Sequence, residues 1–392
     1  VPIACPQKQS ITIPLNVLDC TGTDIWSLIR PNPQPYIPKT IDENFTSWPN
    51  LVNAISNQDH GGKVFGFTGN NESMSSTVIS NAQNFVIEGQ GIGRINGQSS
   101  NLSTDGAFFQ GMFEGCNVGT IRGMTIENMR NSGISFGQGP SLRPGCTDMI
   151  CEYNTFHRIG QAAVVAVNGS RRITCRYNHI SEIGQGNTFT GEGFYGGFGD
   201  RYDNFAEELY IGYNTFSNLR GEAIDIKRDS TNVLIEHNLI EGIEVHSQGA
   251  ITLGLNEHPG NINATVRHNI INGVTTRNFD GNGIVIAAGN VSVYGNIVMN
   301  TVASSIDIYA DGVVPESNLV DIFENILVSP AGIVSVQQNV LNSSESPNFN
   351  PLNVTRTNNL VSSNPTPSEC LLSSEPLLSG RAFTQPTDFI IN

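Results

Sequence analysis

Charge is scarce in this 392-residue chain. Asp, Glu, Lys and Arg make up 14% of it, and only four residues are lysine: Lys8, Lys39, Lys63 and Lys227. Long solvent-exposed helices draw on Glu, Lys and Ala, so the shortage argues against them. The 20 Lys and Arg stand against 35 Asp and Glu, a net charge of -15. A nucleic-acid binder normally presents a basic face, and this balance argues against one. No apolar run is long enough to span a bilayer. What is plentiful is glycine (41) and asparagine (45). Both tolerate turn conformations, and together with low charge they point to a turn-rich all-β protein. The chain opens on Val1, which fits removal of a secretion signal. Eight Asn-X-Ser/Thr sites (Asn44, Asn71, Asn101, Asn168, Asn263, Asn290, Asn342 and Asn353) would permit glycosylation in a secreted protein.

A repeat runs through the middle of the chain. It reads CEYNTFHRIG (151–160), CRYNHISEIG (175–184), IGYNTFSNLR (211–220), IEHNLIEGIE (235–244), VRHNIINGVT (266–275), VYGNIVMNTV (293–302) and IFENILVSPA (322–331), with MTIENMRNSG (124–133) as an earlier copy. Its asparagines are Asn128, Asn154, Asn178, Asn214, Asn238, Asn269, Asn296 and Asn325, spaced by 26, 24, 36, 24, 31, 27 and 29. A constant unit with variable insertions is the mark of a solenoid. The units show short strands and no helical period. The pattern therefore predicts one domain folded as a parallel β-helix over 75–345. The preceding segment, 1–74, would include a short capping helix at 47–56 started by Ser47. An irregular tail, 346–392, would pack along the solenoid. Each repeated Asn would stack on the next at about 4.8 Å as an amide ladder. The column Tyr153, Tyr177, Tyr213, His237 and His268 would stack beside it, which makes the two histidines ladder residues rather than ligands. Cys151 and Cys175 would meet within disulfide range. Cys5 with Cys20 and Cys116 with Cys146 are further candidate pairs, and Cys370 is left over.

The second strand of each unit aligns as NSGISFG (131–137), GQAAVVA (160–166), GEGFYGG (191–197), GEAIDIK (221–227), SQGAITL (247–253), GNGIVIA (281–287) and ASSIDIY (303–309). Side chains alternate along a strand. Phe194, Ile224, Ile284 and Ile306 would point inward, as would Ile226, Ile286 and Ile308. One outward column would hold Tyr195, Asp225, Ile251, Val285 and Asp307. The next would hold Gly197, Lys227, Leu253, Ala287 and Tyr309. At the strand entrance stand Ser132, Gln161, Glu192, Glu222, Gln248, Asn282 and Ser304. Glu192 and Glu222 would thus stack beside Asp225, Lys227 and Tyr195. The insertion 186–205 adds Asp200, Arg201, Tyr202 and Asp203 on the same coil. Stacked glutamates repel unless a cation separates them, and Lys227 is the sole lysine of the solenoid.

The repeat pattern resembles the pectate-lyase-like superfamily of right-handed β-helices over roughly 75–345. The segment Glu222-Ala-Ile-Asp-Ile-Lys227 resembles the Glu-Ile-Ile-x-x-Lys segment of the alginate and chondroitin B lyase family. That resemblance implies a polysaccharide substrate, calcium bound with the help of Glu222, and Lys227 as the base. GEGFYGG also resembles a segment of secreted β-helix proteins. The family places an Arg about one coil after the Lys; here 246–258 has none and offers His246 and His258. Elimination on a uronate needs its carboxylate neutralised, a base, and an acid for the leaving oxygen. The expected metal set is Glu192, Glu222 and Asp225. The expected acid is Tyr195, His246 or Arg201. Asp225, Arg228, Tyr202 and Tyr309 would contact the glycan. The expectation is a secreted, monomeric polysaccharide lyase with calcium, without nucleic-acid or membrane partners. Alternatives are a related epimerase, a hydrolase using Asp225 with Glu192 or Glu222, and a glycan-binding solenoid. The Asn-Thr-Asp, Asp-Asp and Gly-His-Gly motifs of polygalacturonase-type hydrolases are absent.

Overall fold

The computed structural model describes residues 34–72, 77–98, 102, 109–137, 144–185, 191–197, 205–227, 230–246, 248–254, 261–278, 280–310, 319–328, 336–340, 353–357 and 359–362. Within these the chain winds as a parallel β-helix. Strand pairings form a 21-stranded sheet and a 10-stranded sheet, and the strands pair in parallel from coil to coil, as Ile173 with Leu209 and Phe194 with Ile224. The larger sheet is two ladders joined by the long strands Gln83–Asn96 and Asn117–Met129, which turn the corner between them. Parallel pairing starts at Glu43–Phe45. It runs through Asn353–Thr357 and Leu360–Ser362. Regular coils therefore extend beyond both ends of the 75–345 reading. A helix, Trp48–Ile55, covers the first coil with Trp48, Leu51, Val52 and Ile55. Trp48 meets Phe67 edge-on at 5.3 Å. The side chain of Ser47 makes no capping hydrogen bond; its carbonyl accepts from Leu51 N instead.

The interior is filled by columns of apolar side chains. One runs Ile134, Val164, Phe194, Ile224, Ile251, Ile284 and Ile306, all buried. The register corrects two segments of the strand alignment. Thr252, not Ile251, lies below Asp225, and Leu253 lies below Ile226. Val164, not Ala163, pairs with Phe194. The entrance column accordingly passes through Ala162 and Gly249 instead of Gln161 and Gln248. A one-residue slip exchanges the two faces of a strand, and here burial of Ile251 and Leu253 decides the register.

The amide ladder runs from Asn154 through Asn178, Asn214, Asn238, Asn269, Asn296 and Asn325 to Asn359. In each step the side-chain oxygen accepts from the backbone N–H of the Asn one coil before. Asn128 is not a rung: Met124 N donates to Asn154 Oδ1, and Asn128 sits in a left-handed bend (φ 53°). Asn359 is the rung that the repeat did not reveal. Beside the ladder, Tyr153, Tyr177, Tyr213, His237 and His268 stack with centroids 4.9, 5.0, 4.7 and 5.1 Å apart. A third column alternates in charge: Glu88, Arg122, Glu152 and Arg176. Arg122 approaches Glu88 at 3.6 Å and Glu152 at 3.3 Å, and Arg176 approaches Glu152 at 2.8 Å. Gly212 comes next, followed by Glu236 and Arg267. Tyr210 leans into the space at Gly212 and donates to Glu236 Oε1 at 2.9 Å.

Cys151 does stack on Cys175, but Cys116, Cys146, Cys151 and Cys175 are all free and buried. In-register parallel strands keep Cβ atoms near the strand spacing of about 4.8 Å, beyond the roughly 3.5–4.5 Å of a disulfide. Asn154 and Asn178 donate instead to the sulfurs of Cys151 and Cys175 at 3.4 Å. Cys5, Cys20 and Cys370 lie outside the described residues.

Two outcomes are expected. Alkylation in denaturant without reductant should label Cys116, Cys146, Cys151 and Cys175, as read by peptide mass spectrometry; a disulfide-linked peptide from either pair would contradict the free thiols. Asn214→Ala removes an acceptor for Asn178 and donors to the Cys175 carbonyl (2.9 Å) and Asn238 Oδ1 (3.1 Å). It should cost about 2–4 kcal/mol in denaturant unfolding, and a loss under about 0.5 kcal/mol would show the ladder to be dispensable.

Candidate active site

Two consecutive coils of the smaller sheet build the site. Each supplies a bend that ends in Gly-Glu (Gly191-Glu192, Gly221-Glu222) followed by a short strand, Phe194–Gly196 or Ile224–Ile226. The small residues Gly193 and Ala223 let the coils approach: Gly193 N donates to Glu222 O at 3.0 Å. A side chain at Gly193 would strike Phe216 and the Ala223 carbonyl. This registers Glu192 over Glu222 and Tyr195 over Asp225.

One carboxylate oxygen from each of Glu192, Glu222 and Asp225 lies within 4.8 Å of the other two. Lys227 Nζ is 2.6 Å from Asp225 Oδ2 and 5.6 Å from the centre of the Tyr195 ring. The group is not the solvated face that alternation suggests. Glu192, Glu222, Asp225 and Lys227 are 5, 8, 1 and 9% exposed. Three ionised carboxyls against one ammonium would leave two negative charges uncompensated in a buried space, which favours protonation of the glutamates. Burial, then the charge of Asp225, pushes Glu192 up to about 7. Burial, Asp225 and Glu192 push Glu222 well above the usual range. For Lys227 burial works against the charged form, but Asp225, Tyr195 and Glu222 outweigh it and raise its pKa. The protonated ammonium is therefore the favoured state in this arrangement. Gly191 N donates to Glu192 Oε2 at 3.1 Å. Asp225 Oδ1 is buried with no hydrogen-bond partner. An orphaned carboxylate oxygen among two other carboxyls is a donor set for a hard cation such as calcium, and the residues fit one.

The coil topology is matched among solved structures. An alginate lyase from a Paenibacillus species shares it at a TM-score of 0.50, with 17% identity over 76% of this chain and 97% of that one. The chain is a right-handed parallel β-helix. The A-module of an Azotobacter vinelandii mannuronan C-5 epimerase aligns at 0.46, with 13% identity over 77% of each chain. A mannuronic acid specific family 6 lyase from human gut microbiota aligns at 0.41, with 12% identity over 82% of this chain and 83% of that one. No family model matches the sequence, and no curated protein matches it. The shared coils show the β-helix, and identity this low leaves its chemistry to the residues.

Of the residues singled out in the sequence, the β-helix brings together Glu192, Tyr195, Glu222, Asp225 and Lys227. His246 stands at the next coil's corner, its Nε2 2.7 Å from Asn278 Nδ2. Tyr309 lies on strand Ile306–Ala310, three strands from Lys227 by register, or about 14 Å at the usual strand spacing. Arg201, Tyr202, Arg228, Asp200, Asp203 and His258 lie outside the described residues. One cation near the site escaped the strand alignment. Arg277 sits in the bend after Ile270–Thr276, and its Nη2 donates to the Arg220 carbonyl, two residues before Glu222. Its signal in the sequence is a single Arg at a corner two coils on, where only the path of the bend shows which way it turns. Further along the same face Asn282 Nδ2 donates to Asp307 Oδ2 at 3.2 Å. Burial, then Asp280, raises Asp307 to about 6.

A pH dependence follows. The carboxyl of Glu192 has an unfolded value near 4.5 and a folded value of about 7. Its contribution to stability is thus fully present below about 4.5 and is lost as pH rises through about 7. Without divalent cations, Glu192→Gln should gain on the native protein by about 2–4 kcal/mol between pH 4.5 and 8, read by calorimetric melting. Parallel melting curves for the two proteins would contradict the buried-acid assignment.

Proposed function

We propose that this β-helix is a secreted polysaccharide lyase that cleaves a uronic-acid-containing glycan by β-elimination. The observation that carries this reading is the buried set of Glu192, Glu222 and Asp225 around an unpartnered Asp225 oxygen, with Lys227 directly beside it. In elimination the base takes the proton on C5 of the uronate. The electron pair forms a double bond to C4, the C4–O bond breaks, and the departing oxygen receives a proton. Lys227 Nζ would act as the base. Asp225 and the Tyr195 ring fix its position. Glu192, Glu222 and Asp225 would hold calcium. When bound, calcium supplies the charge that neutralises the uronate carboxylate and offsets the acids that raise Lys227. Tyr195, His246 and Arg201 are the candidate proton donors to the leaving oxygen, and Arg228, Tyr202 and Tyr309 the candidate glycan contacts.

The net charge of -15 repels a polyanion at long range, but this is screened beyond about 8–10 Å in physiological salt. Among the described residues no helix is long and apolar enough to cross a membrane. A second reading has its own support. Glu192, raised to about 7, is poised like the general acid of a glycoside hydrolase, with Asp225 close by.

One assay separates the two. The protein is incubated with a panel of uronate polymers while ultraviolet absorbance and reducing ends are followed. Elimination should give absorbance from the new conjugated double bond, and Lys227→Ala should lower it at least about 100-fold. Chelation should suppress it as well. Reducing ends without absorbance would mean hydrolysis. Elimination that survives both Lys227→Ala and chelation would sink the mechanism.

A further inference from the structure

The two Gly-Glu bends of the site stack with no room to spare. A side chain at Gly221 would meet the backbone of Gly191 at 2.8 Å, and one at Gly191 would meet the Arg220 carbonyl carbon at 2.8 Å and its oxygen at 2.9 Å. The peptide that joins Arg220 to Gly221 therefore lies directly against the bend that carries Glu192. Its orientation bears on both bends at once, and each bend delivers one of the two stacked glutamates.

That peptide is held from two coils away. Its carbonyl, on Arg220, accepts from Arg277 Nη2. Arg277 follows strand Ile270–Thr276, which pairs with Leu239–Val245, and that strand pairs in turn with Thr215–Ser217. The guanidinium thus reaches back across the coil between. Arg277 N donates to the Val245 carbonyl at 2.9 Å, which anchors the base of the side chain on that intervening coil. Burial, then Arg220, lowers the pKa of Arg277, and Glu244 and Glu222 work against them. Arg277 Nε is buried and has no hydrogen-bond partner. The cost of that orphaned N–H stands against a charge-assisted bond at Nη2.

Resting on the reading of the acids as a cation site, we propose that Arg277 is a positioning residue: by holding the Arg220 carbonyl it sets the spacing of Glu192 and Glu222, and so the affinity of the acid cluster for calcium. Arg277 acts through the backbone and touches none of the reacting atoms. A partner that orients the ligands of a metal typically costs about 10- to 100-fold in metal affinity when it is removed. One donor is enough for a carbonyl, so a lysine should replace the arginine here, as it would not where a two-pronged fork is required.

The test is calcium binding by the metal-free protein, measured by calorimetry. Arg277→Gln should bind calcium about 10- to 100-fold more weakly than the native protein. Arg277→Met, which keeps an unbranched stem and lacks a donor, should show the same loss, and it serves where Arg277→Gln does not fold. Arg277→Lys should recover most of the affinity. Asn325→Ala, four rungs along the amide ladder from Asn214, is the stability control: it should lower the melting temperature and leave calcium affinity unchanged. Native-like calcium binding by Arg277→Gln or Arg277→Met overturns the inference. So does an Arg277→Lys protein that binds no better than Arg277→Gln. An equal loss in Asn325→Ala overturns it as well, because it would mark a general loosening of the stack. Calcium binding that depends on Arg277, in a protein that makes no unsaturated product, keeps the inference and sinks the lyase reading. A native protein that binds no calcium overturns the inference together with the cation site beneath it.

Discussion

Everything in this molecule depends on coils stacking in register, and the interaction that enforces it is the buried asparagine ladder. Each rung accepts from the backbone of the coil before and donates to a carbonyl of that same coil, as Asn178 does with Asn154 N and Cys151 O. The amide thus meets backbone groups that a bend would otherwise leave unpaired inside the protein. A shift of one residue would strand a donor and an acceptor at every coil. The catalytic proposal inherits this: Glu192 lies over Glu222 only because Asn178 lies over Asn214.

The site itself is a local violation of the rule that builds the rest. In the amide ladder each rung meets the next, and in the charged column Glu faces Arg. At Glu192, Glu222 and Asp225 three acids meet one lysine, and an oxygen of Asp225 stays without a partner. Buried charge without a matched partner is expensive, and this cost is the physical motive for the proposal that the cluster binds a cation. The neighbouring corner repeats the theme in the opposite sign, with an Arg277 nitrogen that also lacks an acceptor.

Much of this was legible in the sequence. The Asn spacing gave the solenoid, and the alternation around Ile224 and Ile226 oriented Asp225 and Lys227 correctly. The failures share one cause. Where a strand is short and apolar on both faces, as at GQAAVVA and SQGAITL, pattern alone leaves a one-residue ambiguity. Packing of Val164 and Ile251 then settles what alternation cannot. Asn128 reads like a rung because its neighbours resemble the repeat, but the corner of its long strand offsets it. Burial of the acid cluster was invisible because sequence shows which face a side chain takes, not what covers that face. Arg277 was missed because bends have no period.

The alternating column of Glu88, Arg122, Glu152 and Arg176 bears on how such a protein can grow. Solenoids lengthen by duplicating a coil. Here a single duplicated coil within that span would set two like charges about 4.8 Å apart, whereas a duplicated pair would preserve the sequence of signs. The break at Gly212, bridged by Tyr210, is where the alternation is interrupted and a lone coil can be accommodated. The next coils after that break, Glu236 and Arg267, restart the alternation with the same sign order. The column therefore acts as a parity rule on the number of turns, written in buried charge.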